Sequence, residues 1–176
     1  PEGLKKIAER VNYLSAKLAK SLEKAGYEVI HEYFFDTIRV KADGWNDKTK
    51  KLELNLRDHG DGTVGISLDE TTTEDHLDEL LSVFKAPKID EIKNTIPSDL
   101  DRKSSYLDHL VFHSYHSETE MLRYLHRLET KDLSLNTSMI PLGSCTMKLN
   151  ATTEMEAITW NEFSNIHPFA PNNQTD

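Results

Sequence analysis

Between Leu4 and Leu22 the apolar residues Leu4, Ile7, Val11, Leu14, Leu18 and Leu22 recur at intervals of three and four, and Gly26 follows shortly after. That spacing draws one stripe along one side of an α-helix, and a glycine just past the end is a common stop because it adopts left-handed backbone at no steric cost. A long helix with a single apolar stripe has to bury it against another layer. The residues that follow supply one. Tyr27–His31 and Phe34–Lys41 carry β-branched and aromatic side chains, and Leu52, Leu54 and Leu56 alternate with polar neighbours, as expected of strands covered on one face. Asp58-His59-Gly60-Asp61-Gly62 is a turn cluster leading into Thr63–Leu68, so residues 52–68 are expected to form a β-hairpin. Thr71–Thr73 stand ahead of Glu74 and Asp75, with Leu77, Leu80, Leu81 and Phe84 beyond, which predicts a capped second helix whose acidic first turn complements its macrodipole. The expected fold class is α+β, in the order helix, strands, helix.

From Lys85 to Leu107 periodicity is lost and Pro87 and Pro97 enter, the composition of a connector between structural units. Ser117 and Glu120 then have capping-box spacing ahead of Met121, Leu122, Leu125 and Leu128, predicting another helix. No clear periodic segment is expected after it. Pro141, Pro168 and Pro171 interrupt the remainder, and Trp160, Phe163 and Phe169 are spread along it without forming a core of their own. Such a stretch needs something else to pack against.

The formal net charge of -9 disfavours non-specific nucleic-acid binding, and no long apolar run suggests a membrane span. A single cysteine cannot form an intrachain disulfide, which fits a reducing compartment. That cysteine sits in the most suggestive segment, Ser138–Asn150, where a Pro-Leu-Gly turn opens onto Ser144, Cys145 and Thr146, followed by Lys148 and Asn150. Small side chains and free backbone N–H groups gathered in this way suit close approach of an anionic or small polar group. Cys145 as a nucleophile would need a base and an orienting group, so a packed or ligand-adjacent small residue is the simpler reading. Lys148 has no obvious desolvating neighbour that would fit it for Schiff-base chemistry. His109, His113 and His116 lack the four-residue helical spacing of a metal pair, and capping, packing or exposure accounts for them; no metal is expected. Asp58, Asp61, Asp69 and Glu70 lack calcium-loop spacing and are most simply a polar hairpin tip and a helix start.

Several longer motifs occur in order: Ser114–Tyr124, Leu128–Leu135, Ser138–Asn150, Ile158–Trp160 and Ile166–Phe169, with Phe34–Thr37 and Gly62–Thr71 upstream. Together they resemble the glycine decarboxylase family, the pyridoxal-phosphate P proteins of the glycine cleavage system, over essentially the whole chain. The resemblance implies an internal fragment. Residues 1–90 would be the α+β small domain of the first of two aminotransferase-like, fold-type-I halves, residues 91–113 a connector, and residues 114–176 the helical and irregular beginning of the second, catalytic half. The connection from Lys41 to Leu52 is about one helical turn shorter than is usual in the family, which calls a small helix between the strands into question. Ala157 and Asn161 stand where prolines are common.

By the same resemblance, the parent enzyme would use pyridoxal phosphate to release carbon dioxide from glycine and pass the aminomethyl group to the lipoyl arm of the H protein. A dimer of aminotransferase-like halves is implied, as is a bacterial cytoplasmic location, or the mitochondrial matrix in a eukaryote. Ser144, Cys145 and Thr146 would approach cofactor or substrate, with Lys148 and Asn150 supporting them. No catalytic residue is expected in this chain. The family's cofactor-bearing lysine follows a histidine, no His-Lys pair occurs here, and that lysine is expected beyond residue 176, leaving the isolated chain inactive. The alternative is a non-catalytic interaction protein that keeps only partner-binding or assembly surfaces of the P protein.

Overall fold

The structure, a computed structural model, describes residues 1–90, 92, 96–132, 134, 137, 139 and 151–175. The chain divides into two compact units, Pro1–Asp108 and His109–Asp176.

The first unit opens with helix α1, Glu2–Lys24, and Gly26 follows it with φ +90°, as the glycine stop requires. Four strands follow, β1 (Glu28–Val29), β2 (Thr37–Lys41), β3 (Arg57–Asp58) and β4 (Thr63–Ser67), in an antiparallel sheet of order β1-β2-β4-β3. Ile38 faces Ile66 and Val40 faces Val64 across the central pair. All four side chains are buried against the helices. The α+β expectation is met.

The core is narrower than the stripe on α1. Leu14, Leu18 and Leu22 are fully buried, whereas Leu4 and Ile7 are exposed. The sheet contacts and the second long helix, α3 (Glu74–Phe84), supply Ile38, Val40, Val64, Ile66, Leu77, Leu80, Leu81 and Phe84 to the same cluster. Thr73 caps α3 by accepting the His76 N–H at 3.2 Å, while His76 Nδ1 accepts the Thr73 N–H at 3.3 Å. Lys17, buried on α1, donates to Glu74 at 2.8 Å, and Arg10 donates to the Thr72 carbonyl at 2.6 Å, so the two helices are tied by charge as well as by leucines.

Two expectations need correction between β2 and β4. A helix is present despite the short connection: α2, Asn46–Lys51, buries Thr49 and packs beside Trp45, and Lys48 donates to the Val83 carbonyl at 2.8 Å. Leu52–Leu56 is not a strand. Leu52 ends α2, Glu53 turns left-handed with φ 56°, and the Leu54 N–H returns to the Thr49 carbonyl at 2.9 Å, the six-to-one bond of a Schellman ending. Leu54 and Leu56 still pack on the core, so their alternation marks burial without sheet pairing. The hairpin keeps only Arg57 and Asp58 on its first arm, opposite Gly65 and Val64.

In the second unit, a 3₁₀ turn at Leu110–His113 precedes α4, Glu118–Glu129. Ser117 accepts the Glu120 N–H and the Glu120 carboxylate accepts the Ser117 N–H, both at 3.3 Å, which is the expected capping box. Beyond it two short helices follow, Thr152–Glu156 (α5) and Asn161–Ser164 (α6), in a stretch where no clear periodic segment is expected. Each is too short for a 3.6-residue period to repeat. None of the described residues of this unit is buried. Among the described residues of the whole chain, no helix is long and apolar enough to cross a membrane.

Candidate functional site

Ser144, Cys145, Thr146, Lys148 and Asn150 lie outside the described residues, as does most of Ser138–Asn150. Of that segment Met139 is described, and it is fully open to solvent. The elements that bracket it are α4 on one side and α5 on the other.

Helix α4 presents an apolar row that nothing described in its own unit covers. Met121, Leu122, Leu125 and Leu128 are 42%, 58%, 51% and 41% exposed, values typical of surface positions for side chains whose spacing is that of a buried face. At its start, Tyr115 adopts left-handed backbone, φ 62°, and its ring stacks on Tyr124 with centroids 4.2 Å apart. The Arg127 guanidinium lies 5.4 Å and 5.3 Å from the two ring centres and donates to the Tyr115 hydroxyl. This cation and aromatic arrangement fixes the entry to α4.

Of the histidines weighed as metal ligands, His109 caps the 3₁₀ turn, its Nδ1 accepting the Val111 N–H at 3.1 Å, His113 ends that turn, and His116 lies just ahead of α4. Elsewhere in this unit His126 pairs with Glu129 at 3.3 Å, and His167 Nδ1 accepts the Phe169 N–H at 3.1 Å. No group of three or more His, Cys, Asp or Glu side chains converges among the described residues.

The first unit carries the perturbed carboxylates, and each is explained by turn chemistry. The Thr63 hydroxyl donates to Asp61 and holds its carboxyl below the usual range, with the Arg39 charge acting in the same direction. Asp69 is also lowered. Its carboxylate accepts from the Thr71 hydroxyl at 2.7 Å and N–H at 2.9 Å, and from the Thr72 N–H and hydroxyl at 3.0 Å and 3.1 Å. Lys88 is raised by its hydrogen bond to Asp78. These groups sit at the hairpin tip and at the two ends of α3, matching the simple reading of Asp58, Asp61, Asp69 and Glu70 as turn residues.

The sequence reading missed a cavity of about 580 Å³ along α1, whose lining includes Ala8, Asn12, Ala16, Phe35, Ile96 and Leu100 as well as charged residues such as Glu9 and Arg102. Its one sequence signal is the four-residue spacing of Ala8, Asn12 and Ala16 beside the leucine stripe. Asn12 is committed to the fold, donating to the Phe35 carbonyl at 2.8 Å, and the Tyr13 hydroxyl on the cavity wall donates to the Asp90 carbonyl at 3.1 Å.

Comparison with known proteins gives the chain its relatives. A sequence family described as "Glycine cleavage system P-protein" matches residues 1–84, which cover α1 through α3. A protein of Thermosynechococcus vestitus named glycine dehydrogenase (decarboxylating) is 51% identical over 99% of this chain, which spans 19% of that relative's length. The protein of the same name from Nostoc punctiforme is also 51% identical over 99% of the chain, which covers 20% of it. A mitochondrial protein of that name from Solanum tuberosum is 49% identical, again over 99% of the chain and 18% of its own length. With about half its residues identical over 99% of its length, and a family match over the helices and sheet of the first unit, the chain is similar to the glycine cleavage system P proteins and spans 18% to 20% of the length of these relatives.

Proposed function

We propose that this chain is a stretch of a pyridoxal-phosphate-dependent glycine decarboxylase, which releases carbon dioxide from glycine and transfers the aminomethyl group to the lipoyl arm of the H protein. The observation that carries the reading is the half identity, sustained over 99% of the chain, to proteins named glycine dehydrogenase (decarboxylating). In this reading residues 1–90 are the small domain of the first of two fold-type-I halves. Residues 91–113 connect it to the second half, which begins at residue 114 and carries the chemistry. The two halves form an aminotransferase-like dimer, in the bacterial cytoplasm or, in a eukaryote, the mitochondrial matrix.

Within the second half, Ser144, Cys145 and Thr146 donate to the cofactor or substrate, and Lys148 and Asn150 brace their segment. Two hydroxyls, a thiol, an amide and one ammonium form a donor set suited to an anionic group rich in hydrogen-bond acceptors. When bound, pyridoxal phosphate supplies the electron sink for the pair left by the departing carbon dioxide. This chain's part is to position and to donate hydrogen bonds. It contains no His-Lys pair of the kind that carries the cofactor in this family, so alone it is inactive.

Two measurements test the reading. Thr146→Ala in the full-length enzyme is expected to weaken glycine or cofactor binding, and unchanged affinities with unchanged turnover would remove Thr146 from the site. Pyridoxal phosphate added to the purified chain is expected to give no stoichiometric lysine-bound absorbance band. Appearance of such a band, lost on replacing one particular lysine, would overturn the proposed inactivity.

A further inference from the structure

We draw no further inference here: the strongest candidate, the apolar cavity of about 580 Å³ along α1 in the first unit, carries nothing because nothing in the structure shows what covers or occupies it.

Discussion

Gly65 sits buried in the middle of β4, and a Cβ built there would lie 2.8 Å from His59 Nε2, with Arg57 Cβ at a comfortable 3.5 Å. Two opposing effects decide what Gly65→Ala does. Glycine inside a strand is destabilising by roughly 0.5–1 kcal/mol relative to alanine, because it loses more chain entropy on folding. Against that, the imidazole must move by several tenths of an ångström. His59 is exposed and its backbone is held by the Thr63 carbonyl at 3.2 Å, so the ring rotates while the chain stays, at an off-rotamer cost of about 0.5–1.5 kcal/mol. The two nearly cancel. Gly65→Ala alone is expected to shift stability by less than about 0.5 kcal/mol, whereas the same change in a His59→Ala background is expected to stabilise by about 0.5–1 kcal/mol. The double-mutant cycle therefore predicts a coupling of about 1 kcal/mol, equivalent to roughly 4–8 °C in melting temperature for a unit of this size. Urea unfolding of the full chain, followed by circular dichroism, measures all four corners. A coupling below about 0.3 kcal/mol would refute the contact between His59 and Gly65.

Leu18→Ala, at a fully buried position on α1, is expected to cost about 2–5 kcal/mol in the same urea experiment; a loss under about 1 kcal/mol would contradict its central place in the core. Lys85 ends α3 in left-handed backbone with φ 52° and is exposed, so Lys85→Gly is expected to raise stability by about 0.5–1 kcal/mol, and a fall would show that the lysine side chain matters more than its backbone. Asp69 is lowered in the folded chain chiefly by the Thr71 hydroxyl, so the unfolded chain binds its proton first. Its contribution is complete above about pH 4 and is lost as pH falls through the folded value. Asp69→Asn is therefore expected to flatten the acid limb of a stability profile taken from pH 6 to pH 2, and superimposable acid limbs would exclude the Asp69 network as a source of acid sensitivity.

The elements legible from sequence are those in which one local rule repeats. The stripe from Leu4 to Leu22 with Gly26 specifies α1, and Thr73 and Ser117 mark the starts of α3 and α4 because their caps depend on residues within the next turn. Leu52, Leu54 and Leu56 misled because alternation reports which side chains meet the core, and a chain turning out of α2 through Glu53 can bury alternate leucines without pairing. Helix α2 hid for a related reason: six residues with Thr49 as their one buried side chain leave no apolar period to read. The cavity along α1 depends on residues 96–100 coming back across the helix, a tertiary event with no local trace beyond Ala8, Asn12 and Ala16. Ser144, Cys145 and Thr146 were singled out by their chemistry and by resemblance, and their placement is part of the proposal.

The contrast between the packed first unit and the second, whose described residues include none that is buried, divides how the two record mutation. A change at Leu18 opens a hole in an interior and registers in the melting of this chain. A change at Leu125, half open to solvent, has little interior to disturb and leaves that melting where it was. Variants sorted by thermal stability alone will thus be weighted towards the helix-and-sheet unit, and the row on α4 will pass as permissive. A mutational map drawn from melting is therefore a map of the first unit.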